Sequence, residues 1–101
     1  MRLRYTRPAL ADLSAILDYV AAHSPRGARR VQARIQALTD LLLLHPHIGR
    51  RTNDPAIRRM ATTPDPDLVF YEVGETEIIM HAVRHAARDP SDMPGSAQQS
   101  P

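Results

Sequence analysis

The chain has 101 residues, a net charge of +2 and no cysteine, which bounds it to one domain with one core and excludes a disulfide framework or a cysteine-ligated zinc. No apolar run approaches the ~20 residues that a membrane helix needs. Arg2, Arg4 and Arg7 are not followed by the apolar segment of a signal peptide, so the cytoplasm is the expected compartment. Residues 2–5 read as a short strand with Leu3 and Tyr5 on one face and Arg2 and Arg4 on the other. Thr6 is a helix cap and Pro8 falls in the first turn, where a missing N–H costs nothing. Leu10, Leu13, Leu17 and Val20 then recur at helical spacing to about His23, flanked by Ala9 and Ile16, while Asp12, Ser14 and Asp18 fall on the opposite side.

Ser24-Pro25 is the start signal of a second helix, whose apolar stripe is Ala28, Val31, Ile35, Leu38 and Leu42. With almost no linker, the two helices should pack as an antiparallel hairpin. Four successive leucines, Leu41 to Leu44, point all round an axis that turns ~100° per residue. Leu43 and Leu44 therefore miss the stripe and need a cover, either the following chain or a partner. His45-Pro46 ends the helix, and residues 46–56 read as an ordered loop with a turn at Gly49. Strands follow over 57–62, 68–73 and 77–85, separated by a proline-rich turn at Thr63-Pro64-Asp65-Pro66 and a hairpin turn at Gly74-Glu75-Thr76. The fold expected is α+β with element order β-α-α-β-β-β, an N-terminal helical hairpin on one face of a small, mainly antiparallel, four-stranded sheet. The last two strands carry apolar residues on both faces and should sit centrally. Residues 1–88 form the domain, and the polar tail 89–101 is expected to be disordered when alone.

All 13 cationic side chains are arginine. Codon bias accounts for such a count, so clustering alone carries functional weight. Arg50-Arg51 in the loop, with Arg58-Arg59 and Arg84 on the strands, are the candidates, and a guanidinium fork suits carboxylates and phosphates.

The order of several short motifs resembles the RelE/ParE superfamily of type II toxins across residues 1–88. They are Ala11-Asp12-Leu13 with Ile16 and Tyr19, His45-Pro46 with Gly49, Ile57-Arg58-Arg59, Leu68-Val69-Phe70-Tyr71-Glu72-Val73, Glu77-Ile78-Ile79 and Val83-Arg84-His85. The resemblance implies a toxin neutralised by a cognate antitoxin, whose C-terminal segment wraps it in a hetero-oligomer. It implies either a ribosome-dependent mRNA endoribonuclease, as in the RelE branch, or a DNA gyrase inhibitor, as in the ParE branch. Val69-Phe70-Tyr71, Val83-Arg84-His85 and the lack of later aromatics look closer to ParE.

A nuclease needs a base, an acid and cations facing the phosphate. His85, Arg84, Arg58 and Arg59 are the candidates, with Glu72 or Glu77 as carboxylates. Neighbours on a strand face opposite sides, so Arg84 and His85 should not converge, and the lysines and late tyrosine of the RelE pattern are missing. No cofactor is implied. No metal is implied either: His81 and His85 lie ~13 Å apart along a strand, and His45 and His47 have no evident third ligand. Arg29, Arg30 and Arg34 read as a solvated helix face, and direct DNA binding is not expected. The candidate partner contacts are Arg50, Arg51, Arg58, Arg59, Arg84, Leu43 and Leu44.

Overall fold

The computed structural model describes residues 1–62 and 67–85; the expectations for the Thr63–Pro66 turn and for the tail at 89–101 lie outside them. The order is β1 (Arg2–Tyr5), α1 (Arg7–His23), α2 (Pro25–Leu44), β2 (Arg50–Arg51), β3 (Arg58–Ala61), β4 (Asp67–Val73) and β5 (Glu77–His85).

The helix boundaries follow from local chemistry. Thr6 accepts the Ala9 N–H at 3.2 Å through its hydroxyl and so caps α1. Ser24 alone links the helices and serves both. Its N–H closes α1 on the Val20 carbonyl at 2.7 Å, and its hydroxyl accepts the Gly27 N–H at 2.9 Å to open α2. Gly27 keeps this corner tight, because a Cβ there would stand 3.2 Å from both the Ser24 hydroxyl and the Val20 side chain. Ala9 and Ile16 of α1 and Val31, Ile35, Leu38 and Leu42 of α2 are buried. They pack on Val69, Tyr71, Ile78, Met80 and Val83 from the sheet.

The sheet has five strands in the order β1-β5-β4-β3-β2. β1 runs parallel to β5 and the other pairs are antiparallel. The four-stranded expectation is therefore corrected by one strand, inside the stretch 46–56 that reads as a loop. Its cause is a side-chain-closed turn: the Thr52 hydroxyl stands 3.0 Å from both the Asp54 and Ile57 carbonyls, sharing its one hydrogen between them, and the Asp54 carboxylate accepts the Ala56 N–H. That turn returns the chain so that Arg50 and Arg51 pair with Arg59 and Arg58. β4 and β5 are internal, as their two-faced apolar pattern predicts. Their far face carries a second, smaller core of Ile57, Phe70 and Ala82 with Leu68 packed against it.

A bulge in β5 decides which side chains face where. Phe70 pairs with Ala82 but the next residue, Tyr71, pairs with Met80, which leaves His81 as the extra residue. Ile78 and Met80 face the helices before the bulge, and Val83 faces them after it. His81 and His85, expected to share a face, are separated by this shift.

Candidate functional site

The Tyr71 side chain organises one end of the molecule. Tyr71 is fully buried, donates its hydroxyl hydrogen to the Pro46 carbonyl at 2.8 Å, and accepts the Gly49 N–H at 2.9 Å. Arg58, opposite Tyr71 on β3, donates through Nη1 to the carbonyls of His47 at 3.2 Å and Gly49 at 2.9 Å. The loop after α2 is thus pinned to the sheet, and Arg58 is engaged in holding it. A Cβ at Gly49 would stand 2.5 Å from the Tyr71 hydroxyl oxygen and 2.9 Å from the Arg59 carbonyl, so only glycine fits this approach.

Burial pushes the Tyr71 hydroxyl pKa above its ordinary value, opposed by the Gly49 hydrogen bond and the Arg58 charge; burial raises Tyr5 as well. The folded state then holds these protons more tightly than the unfolded chain does. This contribution to stability is complete below about pH 10 and is lost as pH rises through the raised folded values. Tyr71→Phe should cost about 1–3 kcal/mol at neutral pH, because it leaves Pro46 and Gly49 unpartnered. It should also make the alkaline loss of stability shallower. Urea unfolding at about pH 7 and about pH 11 checks both effects.

At the opposite edge, β1 pairs with β5 only as far as Tyr5 and Met80. Beyond that point Asp12 of α1 takes over. Its carboxylate accepts the Val83 N–H at 3.1 Å and the Arg84 guanidinium at 2.8 Å. The helical wheel places Asp12 on the solvent side; the structure places it half-buried against the sheet edge. Arg84 is therefore an ion-pairing residue at this junction. His85 lies across β4 from Asp67 and bonds its carboxylate through Nδ1 at 2.9 Å. Asp67 is buried, and a carboxylate can only accept, so Nδ1 carries the hydrogen.

The four nuclease candidates are thus not assembled. Arg84 leaves the strand opposite Leu68, which belongs to the far-face core, whereas His85 sits opposite Asp67 on the other side. Arg59 lies across from Phe70 on the far face and Arg58 across from Tyr71 on the helix side. A pairing that sequence reasoning missed is His81 Nε2 with Glu72 at 2.8 Å on the far face. The bulge creates it, and no local pattern signals a bulge.

Arg50 and Arg51 are exposed on the edge strand β2. Leu43 is half-buried and packs on the helix-side core, while Leu44 is 74% exposed. Of the two leucines expected to need a cover, only Leu43 receives one from the fold.

The chain is thus an α+β scaffold, a helical hairpin on one face of a small mixed sheet with two arginines on an edge strand. A family model described as the ParE toxin of type II toxin–antitoxin system, parDE, matches residues 3–90. Toxin RelE2 of Caulobacter vibrioides is 36% identical over 84 residues, covering 83% of this chain and 93% of that protein. A chain in the solved chromosomal ParDE toxin–antitoxin system of P. aeruginosa is similar with a TM-score of 0.72 at 28% identity, over 84% of this chain and 95% of that one. The chain belongs to the ParE toxin family and is the toxin of a type II toxin–antitoxin pair, with a cognate antitoxin as partner. Among the described residues no helix is long and apolar enough to cross a membrane.

Proposed function

We propose that this toxin acts in the cytoplasm by binding and inhibiting DNA gyrase, with residues 1–88 as the functional unit, and that an acidic C-terminal segment of its antitoxin neutralises it. The observation that carries this reading is the engagement of the candidate nuclease groups. Arg58 holds loop carbonyls, Arg84 holds Asp12, and His85 holds Asp67. A scaffold whose cations serve its own architecture supports action by binding rather than by phosphoryl chemistry. Similarity to a ParDE system supports the same branch.

Ribosome-dependent mRNA cleavage is the second reading, favoured by the relative named RelE2 and by the Glu72–His81 pair, which has the elements of a general base. Induced expression separates the two. Gyrase inhibition should relax plasmid DNA in the cell within minutes while mRNA stays intact. Codon-phased mRNA cleavage with unchanged plasmid topology would replace gyrase by the ribosome.

Arg50 and Arg51 are the cations best placed to meet an acidic antitoxin segment, since both are exposed on an edge strand. Arg50→Glu with Arg51→Glu should weaken antitoxin binding at least about tenfold at low salt and flatten its salt dependence. Calorimetric titration with the antitoxin at two ionic strengths measures this, and a change under about twofold would remove the pair from the interface.

A further inference from the structure

Resting on the reading of this chain as a toxin with a macromolecular target, we propose that Leu44 and Ile48 form an apolar knuckle that grips a protein target, in an apolar depression rimmed by carboxylates. Leu44 is 74% exposed and Ile48 is 46% exposed. They flank a single turn, closed by the Ile48 N–H on the His45 carbonyl at 3.1 Å. The other exposed large apolar residues among those described, Met1, Leu10 and Tyr19, lie on the N-terminus and α1.

The turn is held far more firmly than a connection requires. Tyr71 fixes Pro46 and Gly49 from beneath, and Arg58 fixes His47 and Gly49. At its base, α2 ends with the His45 N–H on the Leu41 carbonyl at 2.8 Å, and Leu43 is set into the core. A buried phenol, an arginine and an obligatory glycine therefore hold two aliphatic side chains out in water. Such preorganisation lowers the ordering cost of binding, and a rigid apolar anchor is what the centre of an interface uses.

Charge and shape define the partner. From residue 45 to 59 the chain carries His45, His47, Arg50, Arg51, Arg58 and Arg59 against the single acid Asp54, whose carboxylate accepts the Ala56 N–H. A cleft of about 230 Å³ opens beside the knuckle, lined by His47, Pro55, Ala56, Arg58, Glu72 and Val73. It is a socket for a polar side chain of the partner. Aliphatic anchors with no Phe, Tyr or Trp between residues 44 and 59 favour a protein over a nucleic acid, whose bases would call for a broad stacking platform.

The test compares wild type with Leu44→Ser/Ile48→Ser, and with Leu10→Ser as an exposed-leucine control. Each is expressed in cells and titrated, as purified protein, against gyrase with relaxed plasmid. The double variant should lose at least about tenfold in growth arrest and in inhibitory potency, with an unchanged thermal midpoint, while the control matches wild type. Should the double variant melt early, Leu44→Ala and Ile48→Ala are scored singly by the same readouts. A folded double variant as toxic as wild type overturns the knuckle. If wild type arrests growth without touching gyrase, the gyrase reading fails and the knuckle stands or falls on the growth comparison. If wild type arrests nothing, both fail. Retained toxicity with lost antitoxin rescue makes the knuckle an antitoxin contact. Retained toxicity with a wild-type dimer turned monomeric by light scattering makes it a contact between copies. Loss of binding to plasmid DNA or RNA alone makes it a nucleic-acid contact. Each of these three outcomes overturns the proposal.

Discussion

Replacing Gly49 with alanine should destabilise the protein by about 3 kcal/mol, the upper part of the range for overpacking a filled site. For a domain of this size that lowers the thermal midpoint by on the order of 15 °C. The added methyl would meet the Tyr71 hydroxyl oxygen at 2.5 Å, its ring carbon Cε1 at 2.7 Å and the Arg59 carbonyl at 2.9 Å. None of these can yield cheaply. Tyr71 is fully buried with its hydroxyl bonded on both sides, and Arg59 is fixed by strand pairing to Phe70 and Arg50. In a Tyr71→Phe background the same substitution should cost less, because the nearest atom is gone, yet more than nothing, because Cε1 remains. Thermal unfolding of the three variants measures the coupling. A drop under about 3 °C for Gly49→Ala alone would show that the loop is not pinned as described, and would weaken the argument for a rigid knuckle beside it.

Asp12→Ala is expected to cost about 2 kcal/mol. The carboxylate partners the Val83 N–H on the edge of β5 beyond the reach of β1, and the guanidinium of Arg84. A hydrogen bond to a charged group contributes ~1.5–3 kcal/mol, and Val83 is buried, so its lost acceptor is not freely replaced by water. Asp12→Asn keeps an acceptor oxygen without the charge and should recover part of the loss. Equilibrium unfolding in urea measures both, and hydrogen exchange at Val83 should accelerate in the alanine variant. An alanine variant within about 0.5 kcal/mol of wild type would mean that α1 docks without this bond.

Much of the frame was legible in the residues because its determinants are local. Thr6 and Ser24 with their following prolines announce both helices, and the stripe from Val31 to Leu42 states which face is buried. The leucine run was read correctly as an excess over what one stripe can bury, and the structure divides it: Leu43 enters the core and Leu44 does not. What was illegible depends on distant partners. Two arginines are too short a run to show strand periodicity, so β2 emerges only once the Thr52–Asp54 turn folds it against β3. The wheel that sets Asp12 in solvent has no knowledge that β1 stops short and leaves β5 open at Val83. The bulge at His81 reassigns faces in the middle of a strand whose limits were otherwise read correctly. Tyr71 appeared as one more apolar strand residue, although its hydroxyl meets two groups more than twenty positions away in sequence.

These misreadings bear directly on the site. Arg58 and Arg84 were candidate partner contacts in the sequence, where an arginine's own partners are rarely visible from its neighbours in the chain. Both are engaged internally. The Arg50-Arg51 pair and the Leu44–Ile48 turn stay exposed, and they are the features proposed to grip another protein.

The most direct measurement is a titration of the purified chain into DNA gyrase acting on relaxed plasmid, with translating ribosomes as the parallel substrate. The expected result is a concentration-dependent loss of supercoiling, reversed by the antitoxin, with ribosome-bound mRNA left whole. Undiminished supercoiling at saturating protein, together with cleavage of mRNA in the ribosomal A site, would contradict it.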